Sequence, residues 1–207
     1  MFEFLIKYPH KLYEPMLEHL EITAITLLIS ILLASLLSAF IMRSKFLSQA
    51  AVGFFSVMYS IPSLALFALL IPVFGLGKDT AIFVLVLYNQ FLLIRNILAG
   101  FRAINPHVLE AAKGMGMNET QLFFKIRLPL AMPEILAGIR IAIVSTIGIA
   151  TIAATINAGG LGVLLFDGLR TGNTVKILWG AILSSILVIA ANQLLAFLAK
   201  RLKKNIG

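Results

Sequence analysis

Long apolar runs separated by short clusters of charge set the pattern of this chain. Five runs are long enough to cross a bilayer, which takes about 20 helical residues at ~1.5 Å each. They cover residues 21–42, 50–74, 79–98, 135–157 and 175–198. In the first, Ser30, Ala34 and Ser38 recur every four residues and share a helical face that admits a neighbouring backbone closely. The second carries Pro62 and Pro72; each removes an amide donor, so a kink is predicted near Ser60–Pro62. Tyr88, Asn89 and Gln90 fall in the third. Two adjacent amides in hydrocarbon cost several kcal/mol if unpaired, so they face either neighbouring helices or a polar pathway.

The fourth run holds Gly138, Ala142, Thr146, Ala150, Ala154 and Ala158 at an unbroken spacing of four. Such a stripe suits tight contact with a helix, a dimer partner or a narrow pore. Ser145, Thr151, Thr155 and Asn157 add polar groups on its other faces. A glycine-rich stretch, residues 158–162, leads into a half-apolar segment ending at Thr174, read as a short helix with tight turns. Residues 1–20 lack the apolar core of a cleavable signal, because Glu3, Pro9, Glu14, Pro15 and Glu18 interrupt it. They read as an amphipathic segment on the membrane surface or as a short ordered tail.

Composition agrees with a membrane bundle: 60% of the 207 residues are hydrophobic, 13% are charged, and mean hydropathy is +1.00. The net charge of +8 would fit nucleic acid only if it lay on one soluble face. Instead, alternating the loops puts twelve of the seventeen Lys and Arg residues on the side of residues 43–49, 99–134 and the C-terminus. Arg95 and Arg140, near that boundary, are among the twelve. The asymmetry predicts a multi-pass membrane protein with its N-terminus outside and C-terminus in the cytoplasm. Nucleic acid is excluded as a partner, and membrane lipid is implied.

With no cysteine, disulfides and thiolate metal sites are excluded. Away from the ends of the predicted spans there is no Asp, Glu, Lys, Arg or His, so coupling to an ion gradient by side-chain titration is disfavoured. The three histidines, His10, His19 and His107, are read as lying far apart in loops, which argues against an embedded enzyme. No phosphate-binding Gly-x-x-x-x-Gly-Lys loop occurs either. If the chain pumps a solute, the energy must come from a partner.

Residues 105–129 carry the most specific local signals. Asn105 can cap a first short helix with Pro106 in its first position, and Gly114 and Gly116 end it. Asn118 and Gln121 form a capping box for a second helix, which Pro129 is expected to stop. Leu122, Phe123, Ile126 and Leu128 would offer an apolar surface while Lys125 and Arg127 stay wet.

Glu110-Ala111-Ala112, then Gly116, then Ile126-Arg127-Leu128-Pro129 resembles the EAA loop of permeases in binding-protein-dependent ABC importers. Residue types and spacing agree over about 20 positions, and the wider resemblance covers nearly the whole chain. It implies an all-α, polytopic bundle of about five transmembrane helices in a MetI-like fold, with residues 1–207 forming one domain. It also implies that Glu110, Ala111, Ala112 and Gly116 form a coupling helix in a groove of the ATP-binding subunit, with Ile126, Leu128 and Pro129 completing the motif.

Residues 60–72, 110–117, 146–154 and 158–162 look most like permeases for osmoprotectants such as glycine betaine, carnitine, choline or proline betaine. A methionine or other amino-acid permease is the alternative, and a passive channel a remote one. The implied partners are an ATP-binding subunit dimer, a second permease copy or paralogue, and an extracytoplasmic substrate-binding protein. ATP and magnesium would be held by the ATPase, leaving no cofactor here. Tyr59, Asn89, Ser145, Thr151, Thr155 and Asn157 are pathway candidates, and Asn157 with Gly159, Gly160 and Gly162 an external gate.

Overall fold

The computed structural model describes residues 2–204, all helices and short turns. Helix α1 (Phe2–Lys7) is followed by α2 (His10–Ile41), α3 (Lys45–Ser60), α4 (Ser63–Phe74) and α5 (Lys78–Arg102). Next come α6 (Pro106–Gly114) and α7 (Glu119–Leu122), the latter joined through a π-helical turn (Phe123–Arg127) to α8 (Leu128–Ile152). A 3₁₀ turn (Ala153–Ile156), α9 (Gly162–Thr171) and α10 (Thr174–Lys204) complete the order. Four continuous helical runs are long and apolar enough to span a membrane, and a fifth span exists if the bent pair α3–α4 is counted as one.

Three expectations about the helices change. The first is the start of α2. Residues 10–20 are not a separate segment; they begin the same 32-residue helix as the first apolar run, with Pro15 inside it. His19 therefore sits within a long helix rather than in a loop, and it is fully buried. The second is the break at Ser60–Pro62, which is far sharper than a kink. Ile61 and Pro62 are extended, with ψ of 132° and 133°, and α4 leaves α3 at 97°. The Tyr88 hydroxyl donates to the Ile61 carbonyl that the break exposes.

The third concerns Pro129, which does not end the second loop helix. Glu119–Ile156 runs as one 38-residue helical unit. Leu128 donates its amide to the Phe123 carbonyl five residues back, so the register has already shifted where Pro129 lacks a donor.

The core forms where α2, α5 and α8 meet. Ser30, Ala34 and Ser38 of α2 and Gly138, Ala142, Thr146 and Ala150 of α8 are all buried. A Cβ on Gly138 would lie 2.5 Å from the Asn96 Cβ, so this part of the stripe seats against α5 within the chain. It is not available to a dimer partner or a pore. At the centre Asn89 donates to the hydroxyls of Ser30 (3.2 Å) and Thr146 (2.9 Å), tying three helices through one amide. Gln90 donates to the Ser30 carbonyl at 3.4 Å. Both amides thus answer to neighbouring helices.

Replacing Gly138 with Val should overpack this crossing and lower stability by about 2–3 kcal/mol. Thermal unfolding in detergent checks it; an unchanged midpoint means the stripe is not where the helices touch.

Candidate functional site

Two regions at opposite ends of the bundle carry the predicted site residues. At the basic end, α5 and α8 hold between them the loop expected from the sequence. The Asn105 side chain accepts from the His107 amide at 3.0 Å, and Pro106 opens α6 where its missing donor costs nothing. At the far end of α6, Gly116 donates to the Lys113 carbonyl at 2.9 Å and Met117 to the Ala112 carbonyl at 3.3 Å. That pair of bonds is a Schellman cap and requires the left-handed φ of +82° found at Gly116. Asn118 and Gln121 exchange side-chain and backbone bonds at 2.9 and 3.1 Å, the capping box read from the sequence. A Lys113–Glu119 ion pair at 2.8 Å links the two short helices.

Packing sorts the motif residues into inner and outer sets. Leu122 is fully buried, Phe123 stacks on Phe101, and Ile126, Leu128 and Pro129 are half-buried. The apolar side expected to be on offer therefore mostly anchors the loop to its own bundle. Ala112 is also buried. What faces outward is His107, Val108, Glu110, Ala111, Lys113, Met115, Gly116 and Phe124. The His107 ring approaches the Glu110 carboxylate at 3.4 Å, both exposed. The result is a rigid, capped protrusion with a mixed polar and apolar tip.

At the opposite end the glycine-rich turn is held by two side chains that sequence reasoning missed. Glu18 accepts from the Gly160 amide at 2.9 Å. His19 lies 3.2 Å from the Ile147 carbonyl through Nε2, while its Nδ1 accepts from the Leu161 amide at 3.3 Å. Accepting at Nδ1 places the ring proton on Nε2, where it donates to Ile147; the imidazole is neutral and fully used. Gly159 and Gly160 have φ of +84° and +80°, and side chains there would run into Glu18 and His19. A Cβ on Gly162 would sit 1.8 Å from the Thr151 carbonyl oxygen, so no other residue fits that approach. Asn157, in the left-handed region at φ 66°, caps the preceding 3₁₀ turn.

The pathway candidates do not converge on one lumen within the chain. Asn89 belongs to the buried node, and Tyr59, half-buried, packs its ring against Tyr88 and Phe91. Ser145 and Thr151 are half-buried, while Thr155 and Asn157 are exposed. The hydroxyls of Thr151 and Thr155 bond back to their own helix at 2.7 Å. Asn157 and Gly159, with Lys11, Glu14, Glu18 and Asp167, border an open cleft of about 430 Å³ at this end. Asp167 accepts from Lys176 and Arg170, which hold its carboxyl below the usual carboxylate range. That lowered pKa means the contact's stabilisation is intact at neutral pH and fades only as acid protonates Asp167. Among the described residues no group of three His, Cys, Asp or Glu side chains could hold a metal ion.

Apolar helical runs around a polar node, with a capped protrusion at one end, define a polytopic α-helical membrane protein. Residues 27–206 match the family described as binding-protein-dependent transport system inner membrane component, and the chain belongs to that family. It is 36% identical to the choline transport system permease protein OpuBB of Bacillus subtilis over 185 residues, 89% of this chain and 85% of that protein. Against the glycine betaine/carnitine/choline transport system permease protein OpuCB of the same organism it is 37% identical, covering 86% and 82%. It is 43% identical to the ergothioneine transport permease/ergothioneine binding protein EgtU of Helicobacter pylori, over 66% of this chain and 25% of that longer protein. Among solved structures, a chain of the inward-facing MetNI methionine ABC transporter superposes with a TM-score of 0.79 at 20% identity, covering 97% and 99%. At that identity the likeness speaks for the fold, which is MetI-like.

Exchanging His19 for Leu should remove the acceptor for Leu161 and the donor for Ile147, costing about 2–4 kcal/mol. Glutamine, which can serve both, should recover much of it. Equal melting of wild type and His19→Leu would show that the ring does not hold the turn.

Proposed function

We propose that this chain is the membrane-spanning subunit of an ATP-driven importer for small trimethylammonium osmoprotectants, glycine betaine, carnitine and choline among them. The permease role follows from family membership. The substrate class is supported by relatives at 34–43% identity, several of which are named for choline, carnitine or glycine betaine transport. Ser145, Thr151, Thr155 and Asn157 are uncharged, and such groups suit a cation or zwitterion that must pass without being trapped.

The single observation that carries the mechanism is the capped protrusion of residues 105–129. It is built at both ends by side-chain and glycine caps, anchored on the bundle through Leu122 and Phe123, and exposes Glu110, Ala111 and Met115. A helix fixed to its own bundle yet bare at the tip is a lever. Docked in a groove of an ATP-binding subunit, it would carry that subunit's closure into α5 and α8, the helices that meet at Asn89. Magnesium and ATP belong to that partner. The excess of Lys and Arg at the lever end supports a cytoplasmic lever and an external N-terminus. A second permease copy or paralogue would complete the pathway across the exposed face of α8. Asn157 and the Gly159–Gly162 turn, clamped by Glu18 and His19, form the external gate, to which an extracytoplasmic binding protein delivers substrate.

Two substitutions test the lever. Glu110→Lys and Gly116→Val should each cut glycine betaine or choline uptake at least tenfold in cells, with membrane insertion unchanged. Gly116→Asn, which tolerates a positive φ, should keep much of the activity. Full uptake in both Glu110→Lys and Gly116→Val refutes the coupling role. Uptake of methionine but of no trimethylammonium compound by the wild type refutes the substrate class while leaving the lever intact.

A further inference from the structure

The basic end holds a second feature that the lever does not use. Between α3 and α5 lies a cleft of about 450 Å³ whose α5 wall carries Arg95 and Arg102. Its α3 wall is made of Gln49, Val52, Gly53 and Ser56, small or slender side chains that leave it open. A Cβ built on Gly53 would meet nothing within 4 Å.

Arg95 and Arg102 lie seven residues apart, two turns on one face of α5, about 10 Å along the axis. Helix α5 has 25 residues, about 37 Å against an apolar layer of about 30 Å. With α5 upright and centred in that layer and Arg102 at its end, the Arg95 backbone would fall several ångströms inside it. A guanidinium there needs an anion, water or an aromatic face. Arg95 has the Phe91 ring at 5.8 Å on one side, and among the described residues neither arginine forms an ion pair. Every carboxylate ion pair in the described chain lies elsewhere, at Glu21, Glu110, Glu119 or Asp167.

We infer that the cleft between α3 and α5 is a binding site for the phosphate of an anionic lipid headgroup, held between the guanidinium groups of Arg95 and Arg102. Arginine matches phosphate because its planar fork donates two parallel hydrogen bonds. Gln49 and Ser56 supply neutral donors on the opposite wall, and half-buried Val52 gives the acyl chains an apolar contact. The position of Arg95 selects a ligand that lives at the membrane boundary: its charge reaches the headgroup layer by extending along the cleft. A basic pocket between spans at this depth is where anionic headgroups are read.

The test uses the full chain in nanodiscs and native mass spectrometry, with phosphatidylglycerol and phosphatidylcholine as probes. Wild type should retain phosphatidylglycerol in preference to phosphatidylcholine. Arg95→Gln and Arg102→Gln should each weaken that retention about fivefold, and the pair together should abolish the preference. Arg95→Lys with Arg102→Lys keeps the charge but loses the fork; it should hold phosphatidylglycerol at intermediate strength and guards against misfolding of the Gln variants. Arg140→Gln, outside the cleft, should change nothing. Equal retention of the two lipids by wild type overturns the proposal. So does displacement of phosphatidylglycerol by millimolar inorganic phosphate, which would mean a free-anion site. If the Gln pair instead loses an ATP-binding subunit while lipid retention stays unchanged, the arginines serve a protein partner and the lipid site is wrong.

Discussion

Close backbone approach between α5 and its neighbours is the constraint on which the other features rest. In hydrocarbon no hydrophobic drive pulls helices together, so small residues and shared polar bonds must do it. The stripe from Gly138 to Ala150 provides the room, and Asn89 provides the bond that ties α2, α5 and α8 at one point. Because α5 and α8 are locked at mid-membrane, the loop joining them at the basic end has a fixed base. The same locking delivers the end of α8 to the place where Glu18 and His19 can hold the glycine turn. A looser crossing would leave both ends of the molecule without a common frame.

The two ends are stabilised by different means, and the difference matches their environments. The loop at the basic end is exposed and relies on local caps: Asn105, the Schellman cap at Gly116, and the Asn118–Gln121 box. The turn at the other end is largely buried and relies on long-range bonds from α2, since its amides at Gly160 and Leu161 have no other partner there. Local caps make a segment rigid by itself; long-range clamps make it move with the helix that clamps it.

Much of this was legible in the residues. The positions of the apolar runs, the place though not the sharpness of the bend at Pro62, the capping box and the helix-ending glycines followed from spacing and from the chemistry of proline, asparagine and glycine. The start of α2 was not found, because Glu14, Pro15 and Glu18 break the hydropathy of residues 10–20. Yet the buried positions Leu12, His19, Thr23, Thr26, Ser30 and Ala34 keep helical spacing across that boundary, a signal that hydropathy alone passes over. His19 and Glu18 were missed for the same reason: their partners are backbone amides more than 140 residues away, which no local pattern encodes. The continuity through Pro129 escaped because a π turn absorbs the missing donor, and proline chemistry by itself predicts a stop. The stacking of Phe123 on Phe101, which turns the loop's apolar side inward, is again a tertiary matter.

The central claim is that the capped loop is the surface on which an ATP-binding subunit bears. The chain has no cysteine, so single cysteines report cleanly on position. A thiol-reactive photo-crosslinker attached to cysteine placed at Ala111, exposed on α6, should capture the ATP-binding subunit in native membranes, whereas cysteine at buried Ala112 should not. Failure of Ala111→Cys to capture that subunit, or its labelling by an impermeant reagent from outside intact cells, would contradict the account.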